Sequence, residues 1–403
     1  MATVGQVTFL LLFIAGSSQM ANKPTIFSED LDFLRKHTEV IVLTEAAGRA
    51  QLAVAPGYQG RVMTSTARGE GGLSFGWINR ELIASGEKRP HINAYGGEER
   101  MWIGPEGGQF SVYFPKGSSF DFEHWQVPAV IDTEPFEVIS QSGDKAVFRK
   151  KASLVNWSGT TFEIQIDRTI RLLGKEEASK KLGSAIGEAV SMAAYETESK
   201  ITNTGSQPWK KETGLLSIWI LSMLCPSPET TVVIPYNGGD EKTLGPKVND
   251  EYFGKVPGNR LVVKEGVIFF KADGRNRSKI GLSAKRAKPI LGSYDKNNKV
   301  LTLVQYTKPK DATDYVNNMW RMQESPYDGD VINSYNDGPL EGGEKQLGPF
   351  YELETLSPAL QLKPNESGSH THRVFHFVGP EGELDKISAA TLGAGIKEIK
   401  NAL

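Results

Sequence analysis

A single cysteine, Cys225, in 403 residues leaves no partner for an intrachain disulfide and no set of thiolates for a metal centre. It stands in the apolar run LSMLCP, which predicts a core position. Excess charge is equally scarce. The 46 Lys and Arg residues face 48 Asp and Glu, for a formal net charge of -2, and no basic run is long enough to hold nucleic acid or an anionic membrane. Internal repeats and low-complexity linkers are absent, and Gly and Pro are spread along the chain, so residues 25–403 read as one domain. No cofactor is expected, and calcium is left open only by one stretch. The Asp328–Pro339 stretch, DGDVINSYNDGP, is rich in Asp and Asn but lacks EF-hand spacing. Small molecules or neutral polymers remain as partners.

Val7–Gly16, VTFLLLFIAG, is apolar yet too short to span a bilayer, and small residues follow it, as in an export leader. Residues 1–20 are therefore expected to be a signal peptide, with Met1 to about Ser18 removed or disordered, no membrane span in the mature chain and a periplasmic or secreted product. No Lys or Arg precedes the run, and no cysteine follows it as in a lipoprotein. Translation from Met20 would instead leave a cytoplasmic protein.

What is abundant is strand grammar. Short β-branched runs separated by Gly or Pro recur at Val40–Leu43, Gln51–Ala55, Arg61–Thr66, Phe136–Ser140, Lys145–Leu154, Thr160–Leu172, Glu196–Thr204, Thr230–Pro235, Arg260–Lys271, Val300–Thr307 and Thr371–Val378. From Thr161 to Ile170 polar and apolar residues alternate, one wet face and one buried face. The pattern predicts an all-β fold, a large antiparallel β-sandwich with a few short helices. Helices are expected after Ser28, over Lys175–Leu182, and near the C-terminus with a break at Gly393 and Gly395.

His91–Phe114, HINAYGGEERMWIGPEGGQFSVYF, concentrates chemistry. Two glycine pairs enclose Glu98, Glu99, Arg100, Trp102 and Glu106, ahead of an expected strand over Gln109–Phe114. Indoles beside carboxylates and a guanidinium suit a sugar, whose ring offers both C–H faces and hydroxyls. A surface turn with a salt bridge would use the same residues. Gly348–Pro358, GPFYELETLSP, places Glu352 and Glu354 on one face of a strand, where they repel unless a cation or a proton intervenes. His370, His372 and His376 follow in phase, so an acid and a base, part of a metal site, or plain salt bridging are all open. Asp273–Lys279, DGRNRSK, reads as a hairpin tip or an anion site.

LETLSPALQLKPNESGSHTHRVFHF resembles the C-terminal signature of the aldose 1-epimerase (galactose mutarotase-like) superfamily, and FGWINR resembles its earlier Asn-Arg segment. The resemblance places Glu354 on the general base and Arg80 on the substrate-binding arginine. GGEERMWIGPEGGQF, ITNTGSQPW, GLLSIWIL and INSYNDGP further resemble an uncharacterised Bacteroidetes family with that fold. The superfamily's histidine acid has no counterpart in QPWKKETGLLSIWIL, so Glu106, Glu352 or a histidine such as His91, His370 or His372 must supply the proton if there is turnover. Catalytic candidates are thus Glu354, Glu106 and His91. Candidate substrate-binding residues are Arg80, Trp77, Glu98, Arg100, Trp102, Glu352, Asn336 and Asp337. They are expected to converge on a broad concave face that takes a sugar or oligosaccharide, as an epimerase-like or glycoside hydrolase-like enzyme or as a non-catalytic glycan-binding protein.

Overall fold

The structure, a computed structural model, describes residues 24–339 and 346–403; the expected leader lies outside the described residues. Every strand pairing in the sheets is antiparallel. A ten-stranded sheet runs in the order Leu261–Lys264, Val267–Lys271, Thr230–Pro235, Ile290–Asp295, Val300–Tyr306, Ser367–Val378, Ser191–Asn203, Thr161–Leu172, Lys145–Val155 and Glu137–Gln141. A five-stranded sheet follows Ser278–Ser283, Asp330–Asn336, Tyr351–Leu356, Ser217–Leu224 and Arg100–Gly104. A small third sheet joins Ile41–Thr44, Gln51–Ala55 and Arg61–Thr66.

The two larger sheets pack face to face as a sandwich. Alternation decides which side chains enter it: Phe162, Ile164, Ile166 and Ile170 are buried while Thr161 and Glu163 are exposed. Each fully buried Ile or Phe contributes about 1.5–3 kcal/mol. Several polar residues between the sheets are paired. Thr355 Oγ1 is hydrogen-bonded to His370 Nε2 and to His372 Nδ1, both at 2.9 Å, and Ser293 meets Tyr351 at 2.8 Å. On its other face the large sheet buries Phe375 and Phe377 against Leu384, Ile387, Leu392 and Ile399 of two C-terminal helices, Glu381–Leu392 and Ile396–Lys400. Gly393, at φ 72°, ends the first of them as the sequence predicts. The small sheet carries the Phe27–His37 helix, through Phe27, Leu31 and Leu34.

Two sequence expectations fail here. Gln109–Phe114 is not a strand; Val112, Tyr113 and Phe114 are consecutively buried in an aromatic cluster with Trp125 and Trp320. Cys225, expected in the core, is exposed just past the Ser217–Leu224 strand, its thiol donating to Gly76 O at 3.3 Å.

Candidate functional site

On the five-stranded sheet the register sets the outward face. Arg100, Leu221, Glu354, Asn333 and Gly281 lie in one cross-strand row. The next row holds Met223, Glu352, Tyr335 and Lys279. Opposed residues in an antiparallel pair point to the same side, so one face gathers two carboxylates and two cations. The ion pairs run diagonally between rows. Arg100 donates to Glu352 at 2.7 Å, and Lys279 donates to Glu354 at 2.9 Å. The sequence expectation that Glu352 and Glu354 share a face, where a cation, a guanidinium or a raised pKa must relieve them, is met by these two partners.

Glu354 is fully buried and accepts a second hydrogen bond from the Trp219 indole N–H at 3.0 Å, both donors reaching the same oxygen, Oε2. Its other oxygen, Oε1, is buried without a partner among the described residues. Lys279 is boxed by aromatic faces, 4.9 Å from the Trp219 ring and 5.3 Å from Tyr252. The Arg100 guanidinium lies 4.3 Å over Trp102, which meets Trp219 edge-on at 5.6 Å. Gly281 is needed beside this cluster, since a Cβ there would stand 2.1 Å from Asp330 Oδ2. Asp330 accepts from Tyr252 at 2.7 Å and Asn249 at 2.9 Å, and its burial holds its pKa above the usual carboxylate value.

Glu106 enters from the opposite edge of the sheet, just beyond the Arg100–Gly104 strand. Its backbone N–H donates to Asn318 Oδ1 at 2.8 Å. Gly107 permits the close approach, because a Cβ there would lie 2.4 Å from Met319 O. That approach brings Trp320 beside the Glu106 carboxyl, near Lys279 and Glu354. Burial pushes Glu106 up to about 7, against the opposing pull of Lys279 and the Trp320 indole. Burial likewise raises Glu352 to about 7, with Arg100 pulling down and Glu354 pushing up.

Of the expected site residues, Glu354, Glu352, Arg100, Trp102 and Glu106 come together; the rest do not. Arg80 pairs with Asp30 at 2.6 Å and lies over Phe33, bracing two helices, because it opens the Arg80–Ser85 helix facing the Phe27–His37 helix. Glu98 is sealed between the sheets, accepting from Ser65 at 2.7 Å and from His376 Nε2 at 2.9 Å. Trp77 is buried against Phe350, Met223 and Tyr335. Asn336 faces away from the cluster and braces a turn, bonding Gly274 N at 2.8 Å and Asn276 O at 2.7 Å. Asp337 accepts from Tyr335 OH at 2.6 Å and Gly348 N at 2.8 Å. His91 binds Trp125 O at 2.6 Å and lies tilted against the Phe122 ring. His370 and His372 sit behind the sheet, where burial lowers the first to about 3 and the second well below its usual value. No group of metal-ligating side chains occurs among the described residues.

Lys279, Trp219, Tyr252 and Trp320 are the cluster members that sequence reading did not select. Nor is the cluster an open concave cleft, since Glu354, Glu352, Arg100 and Trp219 are all buried. A surface hollow of about 550 Å³ lies elsewhere, lined by Pro135, Phe136, Glu137 and Arg149 to Lys151; there Arg149 is already paired with Asp167 and Lys150 with Glu134.

A family model described as a family of unknown function, DUF6786, matches residues 25–403. Among solved structures, the Slr1438 protein of Synechocystis sp. PCC 6803 is similar over 85% of this chain and 96% of its own, at 15% identity and a TM-score of 0.50. A "putative aldose 1-epimerase" from Escherichia coli K12 is similar over 84% of this chain and 98% of its own, at 11% identity and a TM-score of 0.50. Such identities establish the fold alone. Comparison with curated proteins gives no match.

Proposed function

The chain belongs to the DUF6786 family, and we propose that it binds a carbohydrate at the Glu354 cluster. One observation carries this reading: Glu354 has one oxygen fixed by Trp219 and Lys279, while Oε1 has no donor among the described residues. An unpaired buried acceptor costs about 1–3 kcal/mol, and a ligand hydroxyl relieves it. Both cations are already neutralised by carboxylates, which favours a neutral polyhydroxylated ligand over an anionic one. Trp219 and Trp102 add the flat apolar faces that sugar C–H groups pack on. The fold shared with the Escherichia coli protein points to the same ligand class, on analogy alone. Since the cluster is buried, entry requires neighbouring segments to shift.

The test is tryptophan fluorescence and calorimetric titration with a monosaccharide panel that includes D-galactose and D-glucose. Binding by the wild type, weakened tenfold or more in Glu354→Gln, is the expected result. No binding to any sugar, or equal binding by the variant, would overturn it. A non-catalytic glycan-binding reading is favoured by a second observation: none of the histidines hydrogen-bonds Glu352 or Glu354. Export of the chain belongs to the same proposal, and mass spectrometry of the protein from its native host tests it through the loss or retention of Met1.

A further inference from the structure

We propose that residues 246–259 form a lid beside the Glu354 cluster, held shut by Tyr252 and Asn249 on Asp330, and that a ligand enters when it lifts. The inference rests on the reading of that cluster as a binding site. The register shows which face the segment lies on. Gly281 and Asn333 belong to the Glu354 row, and a Cβ on Gly281 would stand 2.1 Å from Asp330 Oδ2 and 2.6 Å from Asn333 Nδ2. Both polar groups are therefore on the outward face. Tyr252 OH donates to Asp330 at 2.7 Å and accepts from Asn333 at 3.2 Å, while its ring centre lies 5.3 Å from Lys279 Nζ. Phe253 packs 5.7 Å from the ring of Tyr335, the neighbour of Glu352 in the next row. The segment thus lies over the residues that flank Glu354 and Glu352 on the adjoining strands.

Its ends are fixed, and its middle is not packed. Fully buried Arg286 donates to the carbonyls of Asn237, Gly239 and Gly245 at 2.7 to 3.2 Å, which pins the approach to the lid. At the far end Arg260 is clamped to Asp273 at 2.6 and 3.1 Å. Of residues 246–259, all described, only Asp250 is buried, and Val248 and Val256 are partly so. A segment with so little apolar burial opens at a fraction of the cost of global unfolding. What holds it down is polar. Besides the two Tyr252 bonds, Asn249 Nδ2 donates to Asp330 at 2.9 Å, and the backbones of Asn249 and Gly281 exchange two hydrogen bonds of 2.8 Å. Gly245, at φ 77°, provides a joint between the pinned approach and the lid. Latches of this kind break and re-form without disturbing a core, as a gate requires.

The experiment compares the wild type with Tyr252→Phe and Asn249→Ala, each of which removes one bond to Asp330. Hydrogen exchange at the Gly281 amide reads the opening, and acetylation of Lys279 by acetic anhydride, followed by peptide mass spectrometry, reads access to the cluster. Both rates should rise about tenfold in each variant, while amides of the Ser367–Val378 strand keep their wild-type rates. Stopped-flow fluorescence then measures association of D-glucose and D-galactose, which should quicken by a similar factor. Unchanged Lys279 labelling in both variants would overturn the lid, as would an equal rise in exchange across the Ser367–Val378 strand. Faster labelling with unchanged sugar association would overturn it as the ligand's gate and leave the sugar reading standing. Faster labelling in a protein that binds no sugar would support the lid and remove the sugar reading alone.

Discussion

Lys279 and Glu354 stand on strands separated by a third, yet their side chains meet at 2.9 Å across it. The contact is possible because the intervening row position is the short Asn333 and the one beyond it is Gly281. Both partners are largely withdrawn from water. Lys279→Met therefore leaves a buried carboxylate with only an indole donor, and the loss is expected to be about 3–5 kcal/mol at pH 7. Urea denaturation of the two proteins at pH 7 checks this; an unchanged midpoint in Lys279→Met would show that Lys279 does not neutralise Glu354.

Glu106 and Glu352 both have folded-state pKa values pushed up to about 7, above the unfolded carboxylate value of about 4.3. Between those limits the folded chain holds protons that the unfolded chain has released. Stability contributed by the protonated groups is complete below the unfolded pKa and is lost as pH rises toward 7. Glu106→Gln removes one titrating group, so the stability lost between pH 5 and pH 8 should be about 1–3 kcal/mol smaller in the variant than in the wild type. Identical slopes would place the Glu106 carboxyl in water.

The phase of Glu352 and Glu354 was legible because period-2 alternation survives at a polar pair within a strand. Trp219 was not, since every residue of Ser217–Leu224 is buried and a strand covered on both faces shows no alternation. Lys279 was hidden by its neighbours. DGRNRSK reads as a solvated tip, but the strand begins at Ser278 and turns Lys279 onto the inner cluster, while Arg277 stays stacked on Phe253. Glu98 and Glu99 look like surface charge in sequence. The chain instead passes between the sheets there, where His376 hydrogen-bonds Glu98 and Arg168 pairs with Glu99, both from distant strands. Ion partners far apart in sequence are what local pattern cannot supply. The paired glycines were informative: Gly96 lies against Trp77 O, where a Cβ would stand 2.1 Å away.

His370 and His372 share Thr355 behind the Glu354 strand. Burial holds His370 at about 3 and lowers His372 well below its usual value, against about 6.5 in the unfolded chain. With folded values depressed, only the unfolded chain takes up these protons below pH 6.5, so stability is full above that value and is lost as pH falls toward 3. His370→Asn should be less stable at pH 7 by about 1–3 kcal/mol, yet lose less than the wild type between pH 7 and pH 5. Chemical denaturation midpoints at the two pH values decide it, and a wild-type slope in the variant would mean that His370 takes up its proton in the folded state.

Arg80 provides the sharpest separation of family resemblance from geometry. Its guanidinium makes two hydrogen bonds to Asp30, at 3.1 and 2.6 Å, and lies 5.1 Å from the Phe33 ring centre. Asp30 also accepts from Ser74 at 2.5 Å; burial raises its pKa, and Ser74 and Arg80 pull it back. Arg80 is 41% exposed on its side chain, so solvent weakens the pair and Arg80→Ala should cost about 1 kcal/mol. In the variant the Asp30 carboxyl loses a donor and its pKa climbs further, so the deficit should fade as pH drops and Asp30 protonates. Sugar affinity should stay within about twofold of the wild type, because Arg80 makes no contact with the Glu354 cluster. Thermal unfolding and fluorescence titration on the same preparation read the two effects separately. A tenfold loss of affinity at unchanged stability would return Arg80 to the binding site, whereas lost stability at unchanged affinity fixes it as the brace between the Phe27–His37 and Arg80–Ser85 helices.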